Sequence, residues 1–394
     1  MMFEFSERAK KAKASEIREI LKLTELPEVI SFAGGLPAPE LFPVDQITEM
    51  VNKVLKEEPH KALQYTTTDG YNPLREGIIK QRMKPFGIEA TLDNILITSG
   101  SQQAIDYLGK AFINEGDVII CESPSYLGAI QGFKQYGARF VEVEMDEEGI
   151  IIDELRMAIK ANPSTKLIYT IPDYHNPTGR TMSLDRRKAL ADIAAEFKIP
   201  VIEDAPYGEL VLEGEKLPYV KSFDEEGYVI FLGSFSKTFC PGFRIGWTCA
   251  HPEIIKKLIM IKQASDLQVS TFDQMIVGYF INNYDLNDHI KKIKAVYEVR
   301  KDAMLKAMER NFHESIKFTK SKGGLFTWVE VKESINTVNL LEEALKEDVA
   351  FVPGASFFPN GGYNNFFRLN YSNMPVDKIV EGIERLAKVI NKYY

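Results

Sequence analysis

Apolar and polar positions follow two rhythms along the 394-residue chain. Between positions 95 and 249, short and nearly continuous apolar runs recur at 95–98, 118–120, 167–170, 201–204, 229–232 and 245–249. Between several of them, apolar residues return every three or four positions. Ala104, Ile105, Leu108, Ala111 and Phe112 follow the first run, and segments 153–161 and 184–197 behave alike. Runs apolar on both faces, separated by helices, predict an α/β fold: a mostly parallel central sheet with helices on both faces. After about residue 285 the rhythm changes. A long charged helix is predicted at 285–308, strands at 324–329, 349–352 and 366–369, and a closing amphipathic helix at 375–389 that opens on a proline. This is the signature of a smaller α+β domain. At the other end, Ile17, Ile20 and Leu21 give 15–23 helical spacing, and Gly34-Gly35-Leu36-Pro37 breaks regular structure. The expected organisation is an N-terminal arm and helix at 1–45 packing on the small domain, a large domain at 46–285 and a small C-terminal domain at 286–394.

Charge narrows the function. Forty-eight Lys and Arg face 56 Asp and Glu, a net charge of −8, which disfavours nucleic acid as a partner. Cys121, Cys240 and Cys249 form no CxxC pair, and the five histidines show no ligand spacing, so no metal site is expected. The first 20 residues lack a long apolar stretch, and no run reaches the roughly 18 apolar residues of a membrane span. A cytoplasmic location and no membrane partner are expected.

Ligands of parallel sheets bind beyond the carboxyl ends of the strands, and chemistry-bearing residues cluster after those runs. Ser99-Gly100-Ser101-Gln102 leads from a strand into a helix, whose free N–H groups suit an anion. Ser234-Phe235-Ser236-Lys237 with Arg244 brings hydroxyls and two cations together; it is either a Ser/Thr turn with solvated charges or a site for a phosphate and a carbonyl. A neutral lysine amine there attacks an aldehyde to form a Schiff base. Asp204 ends a strand as a helix cap or as the partner of a buried cation, with Tyr207 close behind. Asn176 lies in Tyr174-His175-Asn176-Pro177-Thr178-Gly179, a turn with an amide to offer, and His175 reads as structural. Tyr126 places a ring near the same sheet edge, and Gly35 offers backbone to a ligand wall. Taken together these groups suit pyridoxal 5'-phosphate (PLP): Gly100, Ser101, Gln102, Ser234 and Arg244 for phosphate, Asn176 and Tyr207 for an oxygen, Asp204 for a protonated nitrogen, Tyr126 to stack on the ring and Lys237 for the aldehyde.

In the order and spacing of these segments, together with Tyr65 in LQYTTTDGY and Arg368 in FFRLNYS, the chain resembles the fold-type I PLP enzymes of the class I/II aminotransferase family over nearly its full length. The resemblance implies that Lys237 bonds the cofactor and shuttles protons, with Asp204 and Tyr126 as its catalytic companions. It implies cofactor contacts from Gly100, Ser101, Gln102, Asn176, Tyr207, Ser234, Ser236 and Arg244, with Tyr65 reaching in from the partner of a homodimer. Arg368, Asn176 and Gly35 would bind substrate. Ser15-Glu16-Ile17-Arg18 and the 31–37 loop resemble the 2-aminoadipate and kynurenine aminotransferase branch, in which an N-terminal helix covers the site; Arg18 would read a distal carboxylate. The implied activity is amino transfer from an L-amino acid (2-aminoadipate, glutamate, aromatic or branched-chain) to a 2-oxo acid such as 2-oxoglutarate. A PLP-dependent lyase or decarboxylase of the same fold is the alternative. The branch shares its fold with domains of transcription regulators. With about 30 residues ahead of Gly34-Gly35, no DNA reader is expected.

Overall fold

The apolar runs become strands of one sheet because both of its faces are covered. The structure is a computed structural model and describes residues 3–11 and 28–394. Its strands are β1 (Ile30–Ser31), β2 (Ile95–Thr98), β3 (Val118–Ser123), β4 (Arg139–Asp146), β5 (Gly149–Ile150), β6 (Thr165–Thr170), β7 (Val201–Asp204), β8 (Val229–Ser234), β9 (Gly246–Cys249), β10 (Lys317–Phe318), β11 (Phe326–Glu330), β12 (Val349–Ala350), β13 (Val352–Pro353) and β14 (Phe366–Asn370). Eight form the main sheet in the order β2-β9-β8-β7-β6-β3-β4-β5. Strands β8, β7, β6, β3 and β4 run parallel, whereas β9 is antiparallel to both β2 and β8.

Side chains alternate between the two faces. Ile119, Cys121, Leu167, Tyr169, Ile202, Ile230 and Leu232 join one core, while Val118, Ile120, Ile168, Val201 and Val229 join the core on the other face. Helices Gly100–Phe112 and Leu127–Lys134 supply the first, and Ile152–Ala161 and Leu184–Phe197 the second. Strand β4 has no continuous apolar run because its apolar residues alternate with charged ones, as suits a strand near the sheet edge.

A second, antiparallel sheet has the order β10-β11-β14-β13. Helices Leu286–Asn311 and Val376–Ile390 pack together beside it. Asp285 and Pro375 cap these helices rather than joining them, and Asp285 accepts the Asn287 N–H at 2.8 Å. The single strand expected at 349–352 is two. β12 pairs in parallel with β1, and β13 pairs with β14, because flanking residues on either side of buried Phe351 find different partners. Pro353 has no N–H to offer and lies on an edge strand. Through β1, residues 30–31 are tied to the C-terminal part of the chain. The helix expected at 15–23 lies outside the described residues. Among those described, no helix is long and apolar enough to cross a membrane.

Candidate active site

The carboxyl ends of β2, β6, β7 and β8 converge with β11 and β14 on a cavity of about 620 Å³. Its anion-binding corner begins where β2 turns into helix Gly100–Phe112. Gly100 takes φ +69°, and a Cβ there would lie 2.5 Å from Arg244 Nη2, so only glycine fits. Arg244, itself left-handed at φ +54°, donates to the Ser99 carbonyl at 3.3 Å and to Ser236 Oγ at 3.5 Å. Ser234 Oγ accepts the Ser236 N–H at 3.1 Å. Ser101 and Gln102, in the first turn of the helix, line the cavity alongside. Free N–H groups, the helix dipole and a guanidinium together suit a phosphate.

Asp204 closes β7 and is 2% exposed. Its Oδ2 accepts the Tyr169 hydroxyl at 2.8 Å, and its Oδ1 is buried without a partner. Burial pushes the Asp204 carboxyl up to about 6, against the Tyr169 hydrogen bond. A carboxylate with one buried orphan oxygen has room for a cationic N–H donor.

A third group fixes orientation. Arg368, on β14, donates through Nη1 to Asn176 Oδ1 at 2.7 Å and through Nη2 to the Ala33 carbonyl at 2.7 Å. With its oxygen taken, the Asn176 amide turns its NH₂ to the Tyr207 hydroxyl at 3.4 Å. The guanidinium carbon stands 4.2 Å from the centre of the Phe326 ring. Gly179 closes the Asn176 turn at φ +71°, the left-handed geometry its sequence suggests.

Lys237 Nζ donates to the Gly35 carbonyl at 2.7 Å. Burial, then the Arg368 and Arg244 charges, lowers its pKa to about 8. Tyr126 caps helix Leu127–Lys134 and sets its hydroxyl 3.4 Å from Gln102 Oε1, while Gln102 Nε2 donates to the Gly128 carbonyl at 2.8 Å.

Gly35, Ser101, Gln102, Tyr126, Asn176, Asp204, Tyr207, Ser234, Ser236, Lys237, Arg244 and Arg368 therefore share one cavity, and Gly100 stands behind Arg244. Tyr65 does not line it in this chain; it is 77% exposed. Arg18 lies outside the described residues. Several wall residues carry no sequence signal of their own. Phe326 and Phe357 read as core, and Gln131 and Gln135 read as a polar helix face. Tyr169, which supports Asp204 from behind the wall, offers one clue, as a lone phenol among aliphatic strand residues. His175 is wholly buried, with Nδ1 3.0 Å from Thr178 Oγ1 and Nε2 3.1 Å from a Glu122 carboxylate oxygen.

Residues 31–386 match the family model of aminotransferase class I and II. The chain belongs to the class I and II aminotransferases. This aminotransferase is 46% identical over 392 residues to aromatic-amino-acid aminotransferase 1 of Thermococcus litoralis, covering 98% of this chain and 94% of that one. It is 40% identical over 389 residues to the 2-aminoadipate transaminase of Thermus thermophilus, covering 98% and 96%. The crystal structure of Pyrococcus horikoshii kynurenine aminotransferase superposes with a TM-score of 0.95 at 43% identity, covering 99% and 97%. The aminotransferase is thus a fold-type I, PLP-dependent enzyme of the class I/II family, related to the 2-aminoadipate and kynurenine branch. The cavity fits that cofactor. The orphan Asp204 oxygen suits a pyridinium N–H, the Gly100–Arg244 corner suits a phosphate, and Lys237 is near enough to neutrality to meet an aldehyde.

Proposed function

We propose that this aminotransferase moves the amino group of L-amino acids with neutral aromatic or aliphatic side chains, and of 2-aminoadipate and glutamate, to 2-oxoglutarate. It does so in the cytoplasm as a homodimer with shared sites. The observation carrying this reading is the match between each charged group lining the cavity and one piece of the cofactor–substrate pair. Arg244 serves the phosphate, Asp204 the ring nitrogen, Lys237 the aldehyde carbon and Arg368 the substrate α-carboxylate. No described cation lining the cavity is then left for a second carboxylate; Leu127, Gln131, Gln135 and Phe357 complete a neutral wall. Neutral side chains rest on that wall, and acidic ones call on Arg18.

Bound PLP supplies the electron sink that makes the substrate α-proton acidic. The chain provides the rest. Lys237 Nζ takes and returns that proton, and a pKa near 8 leaves a working fraction of neutral amine at physiological pH. The Gly35 carbonyl gives the amine a fixed acceptor and so a fixed direction. Asp204 holds a proton on the ring nitrogen through its free oxygen, while Tyr169 keeps the other oxygen in place. The Asn176 amide and Tyr207 hydroxyl would hold the ring oxygen, Tyr126 would support the ring, and Arg368 would orient the carboxylate with its planar fork. Tyr65, exposed and outside its own cavity, is free to meet the phosphate of a second subunit.

The test is a set of single-turnover half-reactions with leucine, phenylalanine, kynurenine, 2-aminoadipate or glutamate as sole donor, which remove the acidic acceptor from the comparison. Conversion of the bound cofactor is followed spectroscopically in wild type and Arg18→Ala. The variant is expected to lose roughly 10–100-fold with the two acidic donors, the scale of one charge-assisted hydrogen bond, and to keep the neutral ones. Equal losses across all five, or none, would remove Arg18 from substrate recognition.

A further inference from the structure

Lys262 carries a buried charge that the chemistry above does not use. It lies in the last turn of helix Pro252–Gln263, and its side chain is 0% exposed. Its Nζ donates to Asp266 Oδ1 at 2.8 Å and to Gln103 Oε1 at 3.2 Å. Gln103 completes a ring, donating through Nε2 to Asp266 Oδ2 at 2.6 Å. The Tyr107 hydroxyl adds a bond to Asp266 Oδ1 at 3.1 Å. Burial lowers the Lys262 pKa, and Asp266 opposes that shift. Only the lysine end of this pair is buried, since the Asp266 side chain is 37% exposed, so the pair adds little net stability and its effect is in fixing geometry.

The geometry fixed here borders the anion corner on one side. The Gln103 oxygen that accepts Lys262 also accepts the Ser99 N–H at 2.9 Å. Arg244 holds the carbonyl of the same Ser99. Both polar groups of the Ser99 backbone are thus clamped immediately before Gly100, whose left-handed turn opens the helix. On the other side, the Lys262 carbonyl accepts the N–H groups of Ser265, Asp266 and Leu267, winding the chain into a turn that leaves Leu267 at φ +66°. A non-glycine residue held there is strained and persists only where its surroundings impose it. The next residue, Gln268, accepts the Thr66 N–H through Oε1 and donates through Nε2 to Thr271 Oγ1, which in turn donates to the Gln64 carbonyl. Lys262 therefore reaches the anion corner through its ammonium and both neighbours of Tyr65 through the turn that its main-chain carbonyl and Asp266 hold.

We propose that Lys262, with Gln103 and Asp266, is a positioning unit that fixes the Ser99–Gly100 corner for a phosphate and holds the Tyr65 segment at a set offset from it. The ligand in this statement rests on the phosphate assignment under Proposed function. A site is only as exact as the groups that hold its contact residues, and here the support is a buried charge rather than apolar packing.

The test uses the full chain freed of cofactor, titrated calorimetrically with inorganic phosphate and separately with PLP, alongside urea unfolding. Lys262→Met removes the charge and keeps the length. Gln103→Leu cuts the link to Ser99 while leaving the Lys262–Asp266 pair. Arg244→Met is the reference for the corner itself. Lys262→Met and Gln103→Leu should each weaken phosphate roughly tenfold, the loss of one hydrogen bond's worth of alignment, with unfolding midpoints close to wild type. If Lys262→Met does not fold, Gln103→Leu carries the same expectation alone. Arg244→Met weakening phosphate while the folded variants of the unit bind it like wild type would reduce the unit to a fold-stabilising pair. Unchanged affinity in Arg244→Met would place the phosphate elsewhere and overturn the corner assignment together with this proposal.

Discussion

Replacing Asp204 by Asn should stabilise the cofactor-free chain and cripple the loaded enzyme. In the folded chain, burial raises the Asp204 carboxyl from 3.8 to about 6, a shift of about two units or roughly 3 kcal/mol at pH values above 6. That figure is a ceiling on the penalty of keeping a charge buried. The sign follows from the raised pKa: the penalty is fully present above about pH 6, shrinks as the group protonates on the way down, and is gone below about 4. Asparagine keeps an oxygen for the Tyr169 hydroxyl and places no charge beside it. Cofactor-free Asp204→Asn should therefore unfold at higher urea than wild type at pH 8, and the two should converge toward pH 4. Glu203, pushed up to about 7 by burial, is common to both proteins and cancels in the difference. With PLP present the order reverses, because the amide cannot hold a proton on the ring nitrogen. Turnover and α-proton exchange should fall at least about a hundredfold, the scale of one preorganised electrostatic contact. A cofactor-free variant that unfolds earlier than wild type at pH 8 would show that Asp204 is not a strained buried charge. Near wild-type α-proton exchange would take it away from the ring nitrogen.

Lys237→Ala should abolish turnover and leave PLP unattached to the chain, as read by mass spectrometry after borohydride treatment. Mixed dimers of Lys237→Ala with Tyr65→Phe should recover part of the activity, since one of their two sites then carries neither change; no recovery after confirmed subunit exchange would confine Tyr65 to its own subunit or outside the chemistry. Arg368→Ala should lower kcat/KM on the order of a hundredfold for every amino acid and 2-oxo acid alike, because all share the α-carboxylate, and Arg368→Lys should restore only part, lacking the fork that spans Asn176 and Ala33. A loss confined to one substrate class would make Arg368 a reader of side chains instead.

Local signals sufficed for much of this protein. The strands at 95–98 and 201–204 and the one that starts at 229 follow the runs at 95–98, 201–204 and 229–232, in a sheet buried on both faces, and the 184–197 helix follows from its 3.6-residue spacing. Gly179 in its Asn-Pro turn suggests a left-handed residue, and the ends of those strands mark where a ligand can bind. Periodicity is a property of neighbours in sequence, so it cannot report which strands become neighbours in space. Only the tertiary structure sets β9 antiparallel between β2 and β8, divides 349–352 between two sheets, and brings Arg368 to Asn176 across 192 residues. The electrostatics are likewise a tertiary property. An aspartate and a lysine have ordinary pKa values in an open chain, and burial moves Asp204 to about 6 and Lys237 to about 8. The partner that steadies Asp204 is a tyrosine from the adjacent strand, and the buried Lys262 earns its place through Gln103, 159 residues away. The sequence by itself marked the chemistry-bearing side chains at the strand ends, because chemistry resides in side chains, but left Phe326, Phe357, Gln131 and Gln135 of the cavity wall unmarked. Folding alone decided what each is worth, because desolvation, orientation and charge pairing exist only once distant segments meet.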